Sequence, residues 1–130
     1  AVLFEASLRD NLLLGADLPD QTVEEWLGRL GLRHLLDRQQ GMDVRMSLAQ
    51  TPLSGGEIHR LGLLRAWLRS RPVEVLDEPT AFLDASASQL VREVIAERSR
   101  ERLVLISSHD SALIQQADVM IDLTSSLLKI

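Results

Sequence analysis

The spacing of apolar residues changes period several times along the chain, and each change marks the edge of an element. Ser7 stands where it can cap a short helical turn over residues 8–14, which Gly15 ends. After Pro19 and Asp20, the residues Val23, Trp26, Leu27 and Leu30 follow the i, i+3, i+4, i+7 rule of a helix with one buried face. Thr22 and Glu25 are spaced as a capping box for it, and Gly31 stands at its C-terminal stop. From residue 41 to 52 the periodicity dissolves, which predicts a loop. A second amphipathic helix follows Leu53-Ser54-Gly55-Gly56, with Ile58, Leu61, Leu64 and Leu68 on one face, and Arg71-Pro72 closes it.

Beyond Pro72 the pattern becomes that of a layered α/β fold. Residues 73–76 read as a strand, 85–99 as a helix with Leu90, Val91, Val94 and Ile95 inward, and 103–107 as a second apolar strand. A short helix over 112–117 leads to a third predicted strand at 119–123, a turn at 124–126 and a terminal apolar stretch at 127–130. Strand, helix, strand, helix, strand implies a parallel sheet with flanking helices. The expected organisation is a helical subdomain over 1–71 and an α/β part over 72–130, folded as one unit.

Two places carry candidate chemistry. The strand Val73-Glu74-Val75-Leu76-Asp77-Glu78 delivers adjacent carboxylates at its C-terminal end, where parallel sheets bind ligands. Neighbouring strand positions face opposite ways, so Asp77 and Glu78 divide their roles. In phosphoryl-transfer sites one acid holds Mg²⁺, commonly through water, while a second group orients or deprotonates the attacking water. Leu53-Ser54-Gly55-Gly56-Glu57 is a small-residue turn that opens into a helix, so its free N–H groups and positive dipole end suit a phosphate.

The company these segments keep is informative. Asp77-Glu78-Pro79-Thr80 is followed by Ala81-Phe82-Leu83-Asp84, and then by Ile106-Ser107-Ser108-His109-Asp110 at the end of the next strand. This order and spacing resembles the ABC ATPase family, in which L-S-G-G-Q, a hydrophobic strand ending D-E-P-T, an A-L-D-like loop and a strand ending in His follow one another. Residues 1–11 resemble the segment after the Q-loop of exporter-type cassettes. Leu8-Arg9-Asp10-Asn11-Leu12-Leu13-Leu14, with Gly-Gly-Glu in the signature, is most similar to cassettes of bacterial cysteine and glutathione exporters.

The resemblance implies a partial P-loop NTPase-like fold: a helical signature subdomain, then a RecA-like core with the Walker B strand, D-loop and switch histidine. It implies that Ser54, Gly55 and Gly56 meet the γ-phosphate of ATP held on a partner's P-loop, with Glu57 and Asp84 counted among the cofactor-binding residues. Asp77 serves Mg²⁺, Glu78 is the general base, Asp84 lies in the loop linking two sites, and His109 hydrogen-bonds the γ-phosphate. The implied partners are a second ABC ATPase domain, as a homo- or heterodimer, and the coupling helices of a transmembrane domain, faced by residues 4–14. The implied place is the cytoplasmic face of a bacterial inner membrane. Two alternatives share these motifs: a non-hydrolytic half that only completes its partner's site, and an ABC-type ATPase acting on DNA or ribosomes. Glu78 and His109 speak against the first, the exporter-like opening against the second.

Composition narrows this further. A formal net charge of −5 without a basic run lacks the electrostatic footprint of a nucleic-acid binder. Cysteine is absent, and no apolar run approaches the roughly 20 residues needed to cross a bilayer. The sole lysine is Lys129, so the Gly-rich turn followed by Lys that defines a P-loop does not occur in this sequence. With a first residue Ala1 rather than Met, the chain reads as the C-terminal portion of such a domain, expected to be inactive alone.

Several residues receive plainer readings. Glu57 replaces the usual Gln, and 46–52 lacks a Gly-rich lead-in to the signature. Glu74 lies in an otherwise apolar strand and needs a cation, for which Arg102 or Arg71 are candidates. His34, His59, Asp37 and Asp43 read as solvated or structural, without partners at ligand spacing. Trp26 and Trp67 read as packing rather than as a nucleotide-stacking platform.

Overall fold

The computed structural model describes residues 2–37, 40–47 and 53–123. Strand β1 (Ala6–Ser7) runs directly into helix α1 (Leu8–Leu13). The Ser7 hydroxyl caps α1 by accepting from the Asp10 N–H at 3.0 Å. Leu14 and Gly15 end it in left-handed backbone, at φ 46° and 85°. Helix α2 (Asp20–Arg29) starts earlier than the expected capping box requires. Pro19 occupies its N-cap, so Thr22 lies inside the first turn, its N–H donating to the Pro19 carbonyl at 3.0 Å. Glu25 accepts instead from Gln21 one turn back, at 3.1 Å. Asp20, at the positive end of α2, pairs with Arg9.

The expected loop over 41–52 is a correction of another kind. After one 3₁₀ turn at Arg33–Leu36, a second at Gly41–Asp43 leads to strand β2 (Arg45–Met46), antiparallel to β1 with Ala6 opposite Met46 and Ser7 opposite Arg45. Two residues are too few to show an alternation, which hid this strand from periodicity. Asp43 is exposed yet accepts from Arg9 at 3.0 Å, so it is not simply solvated. Residues 48–52, most of the signature lead-in, lie outside the described residues.

Helix α3 (Gly55–Trp67) opens on a complete capping box: the Ser54 hydroxyl accepts from the Glu57 N–H at 3.1 Å, and the Glu57 carboxylate accepts from the Ser54 N–H at 2.8 Å. Strand β3 (Val73–Asp77), helix α4 (Ala85–Arg98) and strand β4 (Leu103–Ser107) form a βαβ unit, parallel and in register from Val73 opposite Leu103 to Asp77 opposite Ser107. Helix α5 (Ser111–Gln116) follows. The third expected strand, at 119–123, does not form among the described residues: no ladder there pairs it, and Val119, Met120, Ile121 and Leu123 are largely exposed. An apolar β-branched run becomes a strand only when an edge accepts it. Residues 124–130 lie outside the described residues.

One hydrophobic core crosses the boundary at Arg71-Pro72. It joins Leu8, Leu12, Val23, Leu27, Leu61 and Leu64 to Leu76, Val91, Val94, Ile95 and Leu113. Trp67 lies buried in it and meets Trp26 at 6.1 Å between ring centroids, in keeping with the packing reading of both. Val104 and Ile106 pack against this core, whereas Val73, Val75, Leu103 and Leu105, on the alternate positions of the same strands, are 50–75% exposed.

Glu74 finds its cation, though the main one is neither expected candidate. Arg98 Nε donates to both Glu74 oxygens at 2.9 and 3.0 Å, and Arg102 stands farther off at 3.6 Å. Arg98 also donates to the Trp67 carbonyl at 3.4 Å, with its guanidinium 5.7 and 5.9 Å from the Trp26 and Trp67 ring centres. Arg98 continues the Val91, Val94, Ile95 face of α4, so helical spacing carries it inward, whereas Arg71 is exposed. Both partners are almost wholly buried. Removing one therefore leaves an uncompensated charge: Arg98→Ala is expected to destabilise by about 3–5 kcal/mol, while the apolar double replacement Glu74→Leu with Arg98→Met costs far less. Urea unfolding of the complete protein, followed by tryptophan fluorescence, measures both.

Candidate functional site

The parallel register sets the site. Asp77 and Ser107 are the last opposed pair, and the Ser107 hydroxyl donates to the Asp77 carboxylate. The chain then leaves the strand at Glu78, whose φ is 45° and whose N–H still donates to the Ser107 carbonyl at 2.9 Å. The direction of the Glu78 side chain is thus set by a left-handed turn rather than by strand alternation. His109 follows two residues after β4. Its N–H donates to Glu78 Oε2 at 3.4 Å, and its Nε2 lies 3.5 Å from Glu78 Oε1. The imidazole is 98% exposed and the Glu78 side chain 37%, so both are open to a substrate at the C-terminal edge of the sheet.

The turn between Glu78 and Asp84 is tightly held. The Glu78 carbonyl accepts from the Ala81 N–H at 3.0 Å, and Asp84 caps α4 by accepting from the Ala87 N–H at 2.7 Å. Phe82, exposed and at φ 64°, is a second left-handed non-glycine residue here. Such positions cost on the order of 1–3 kcal/mol each and persist only where the surroundings hold them.

Asp110 is one of those surroundings, and sequence reasoning missed its role. Arg92 pairs with it at 3.0 Å, the Thr80 hydroxyl donates to it, and it caps α5 through the Ala112 and Leu113 N–H groups at 3.0 and 3.4 Å. Burial pushes its carboxyl up, but the bonds from Thr80, Arg92, Leu113 and Ala112 outweigh this and hold it below the ordinary 3.8. An aspartate just ahead of Ser111-Ala112-Leu113 is a recognisable helix cap, and that was the available signal.

The signature turn sits beside this loop. A Cβ on Gly55 would meet nothing within 4 Å, whereas one on Gly56 would come to 3.1 Å from the Phe82 carbonyl oxygen and 3.3 Å from Leu83 Cδ2. Gly55 therefore offers an open backbone, and Gly56 lets α3 approach the Phe82 turn. Together with Ser54, Arg60, Asp84 and Ala87 they line a cleft of about 320 Å³. Arg60 braces the turn, donating to the Gly56 carbonyl at 3.2 Å and the Leu30 carbonyl at 2.7 Å.

Both oxygens of Glu57 are engaged, one by the Ser54 N–H and the other by His34 Nε2 at 2.7 Å. Burial raises its pKa, but these bonds win and hold it below 4.5. His34 thus has a structural partner. His59 has one too, its Nε2 lying 3.0 Å from the Pro79 carbonyl oxygen. Both bonds are structural, in keeping with the plain reading of these two histidines, and both reach across elements distant in sequence.

The predicted residues fall into two groups: Asp77, Glu78 and His109 at the strand ends, and Ser54, Gly55, Gly56 and Asp84 around the cleft. Among the described residues no set of three or more His, Asp or Glu could enclose a metal ion. One exposed carboxylate, Asp77, suits Mg²⁺, which keeps its waters and takes further ligands from substrate phosphates. No helix among the described residues is long and apolar enough to cross a membrane.

Residues 2–81 match the family model described as ABC transporter. The chain belongs to the ABC transporter family. It is similar to the glutathione/L-cysteine transport system ATP-binding/permease protein CydC of Escherichia coli K12, 43% identical over 108 residues, 82% of this chain and 19% of that protein. The protein of the same description from Haemophilus influenzae is 34% identical, across 89% of this chain and 21% of that protein. A putative multidrug export ATP-binding/permease protein of Staphylococcus aureus is 31% identical, across 92% and 21% respectively. The chain spans about a fifth of the length of these relatives. It is part of an exporter-type ABC ATP-binding domain, and its helices and parallel strands form a partial P-loop NTPase-like α/β fold.

The two glycines should separate experimentally. Gly56→Ala forces the Phe82 carbonyl aside and is expected to destabilise by about 1–3 kcal/mol, whereas Gly55→Ala, facing open space, leaves folding within about 0.5 kcal/mol of wild type. Denaturant midpoints of the two variants in the complete protein check this.

Proposed function

We propose that the complete protein hydrolyses ATP to power export across the bacterial inner membrane, with this chain on the cytoplasmic face supplying one signature turn and one set of hydrolytic residues. The observation that carries the reading is the 3.5 Å approach of His109 to Glu78, beside Asp77, at the C-terminal edge of a parallel strand pair. Glu78 takes the proton from the attacking water, and His109 donates a hydrogen bond to the γ-phosphate as charge builds there. Asp77 is the residue that would hold Mg²⁺ through water, and that ion, when bound, neutralises charge on the phosphates.

The signature acts on a different nucleotide. Ser54, Gly55 and Gly56 approach the γ-phosphate of ATP carried by the P-loop of a second ABC cassette, and the open side of Gly55 leaves room for that contact. Glu57 serves by holding the turn through its capping box and its bond to His34. Asp84 lies where the cleft meets the loop from Glu78, so closure of the dimer reaches both sites. Residues 4–14, with Phe4 half exposed, face the coupling helices of the membrane domain. Similarity to the glutathione/L-cysteine transport proteins favours those thiols as cargo, selected by membrane segments beyond this chain. Without a P-loop lysine the chain by itself does not hydrolyse ATP.

Glu78→Gln in the complete protein is expected to keep ATP affinity while lowering hydrolysis by at least about 10²-fold, the scale of a lost general base. Nucleotide binding and phosphate release, measured on the same preparation, test this; turnover close to wild type would remove Glu78 as the base.

A further inference from the structure

We infer that His59 is a positioning residue for hydrolysis, holding the Glu78 turn in its reactive shape through a hydrogen bond to the Pro79 carbonyl. This rests on the reading of Glu78 as the base. His59 lies on α3 one helical turn beyond Gly55 and Gly56, so it shares their face of the helix. Its Nε2 is 3.0 Å from the Pro79 carbonyl oxygen, which can only accept. Nε2 is therefore the protonated nitrogen, and the bond fixes the tautomer. The same ring stands edge-on to Phe82, with centroids 6.3 Å apart and planes at 70°.

The bond is placed where it matters. Pro79 is buried and directly follows Glu78, so its carbonyl, in the Pro79–Thr80 peptide, lies one residue beyond the base. Glu78 and Phe82, with φ of 45° and 64°, bracket that peptide in backbone that relaxes unless it is held. The turn is tied upstream by the Ser107 carbonyl, laterally by Thr80 to Asp110, and downstream by the Asp84 cap. His59 adds a directional bond from α3, the helix that begins at the signature turn. Gly56 brings α3 close enough for that bond by approaching the Phe82 carbonyl. One rigid helix of 13 residues thus sets the distance between the signature turn and the base in the same chain.

His59 acts here through the Pro79 carbonyl and not on the reacting groups, so its loss should appear in kcat and not in KM. In the complete protein, His59→Leu fills the volume without a donor and is expected to lower the ATPase kcat roughly tenfold, the order for one lost hydrogen bond to a buried carbonyl. KM for ATP and nucleotide affinity should stay within about twofold. His59→Gln, whose amide can donate to the same oxygen, should recover kcat to within about threefold of wild type. Because Leu and Gln are similar in size, a merely structural loss would affect both, and equal rates in the two variants overturn the inference. So does a wild-type kcat in His59→Leu, or a change confined to KM. Glu78→Gln assayed alongside separates the two readings: if it retains turnover the base assignment fails, whereas if it is inactive and the His59 variants are normal, only the positioning role fails.

Discussion

The parallel pairing of β3 with β4, in the register that sets Asp77 opposite Ser107, is the constraint on which the site depends. Two consequences follow from the last rung of that ladder. The Glu78 N–H still reaches the Ser107 carbonyl, so the chain can turn into left-handed backbone without losing its anchor. The neighbouring strand meanwhile ends two residues short of His109, which brings an imidazole to the same edge as the carboxylate. A slip of one residue would send each side chain to the other face and part these groups. The register is guarded by Leu76 and Ile106 packed on the core, and by Glu74, whose carboxylate is held by Arg98 from α4.

The helical part is built to the same end. Its core is continuous with that of the βαβ unit, and two contacts bind α3 to the twin-acid turn, the close approach that Gly56 allows to Phe82 and the His59 bond to Pro79, while at its other end Trp67 joins the seam with Trp26 and Arg98. Glycine at 56 is thus required by packing within the chain, apart from any phosphate it meets. The opposite face of the sheet, with Val73, Val75, Leu103 and Leu105 exposed, is the kind of surface that parallel sheets cover with a further layer, and relatives more than four times the length of this chain have ample sequence for one.

Sequence patterning revealed the main elements because their signals are local. Ser7 and Ser54 cap helices through their own hydroxyls, and the β3–α4–β4 unit has clear changes of period. The pairing of Glu78 with His109 was legible through motif order, since two successive parallel strands end on one edge. What failed to show was long-range. β2 is two residues whose partner lies some forty positions upstream, and the apolar run at 119–123 carries strand propensity but finds no ladder among the described residues. Arg98 rather than Arg71 answers Glu74 because helical phase, not proximity in sequence, decides which cation turns inward. His34 and His59 could not be assigned partners, since Glu57 and Pro79 lie about twenty residues away on other elements.

In the proposed function the strand register delivers Glu78 and His109 to one terminal phosphate. A cryo-electron microscopy structure of the complete protein, trapped with ATP and Mg²⁺ as the Glu78→Gln variant, measures this directly. Residue 78 is expected beside a water in line with the γ-phosphate, and His109 Nε2 within hydrogen-bonding distance of a γ-phosphate oxygen, with β3 and β4 paired from Val73 opposite Leu103 to Asp77 opposite Ser107. A nucleotide whose γ-phosphate lies far from both side chains, or a register that places them on different faces, would contradict it.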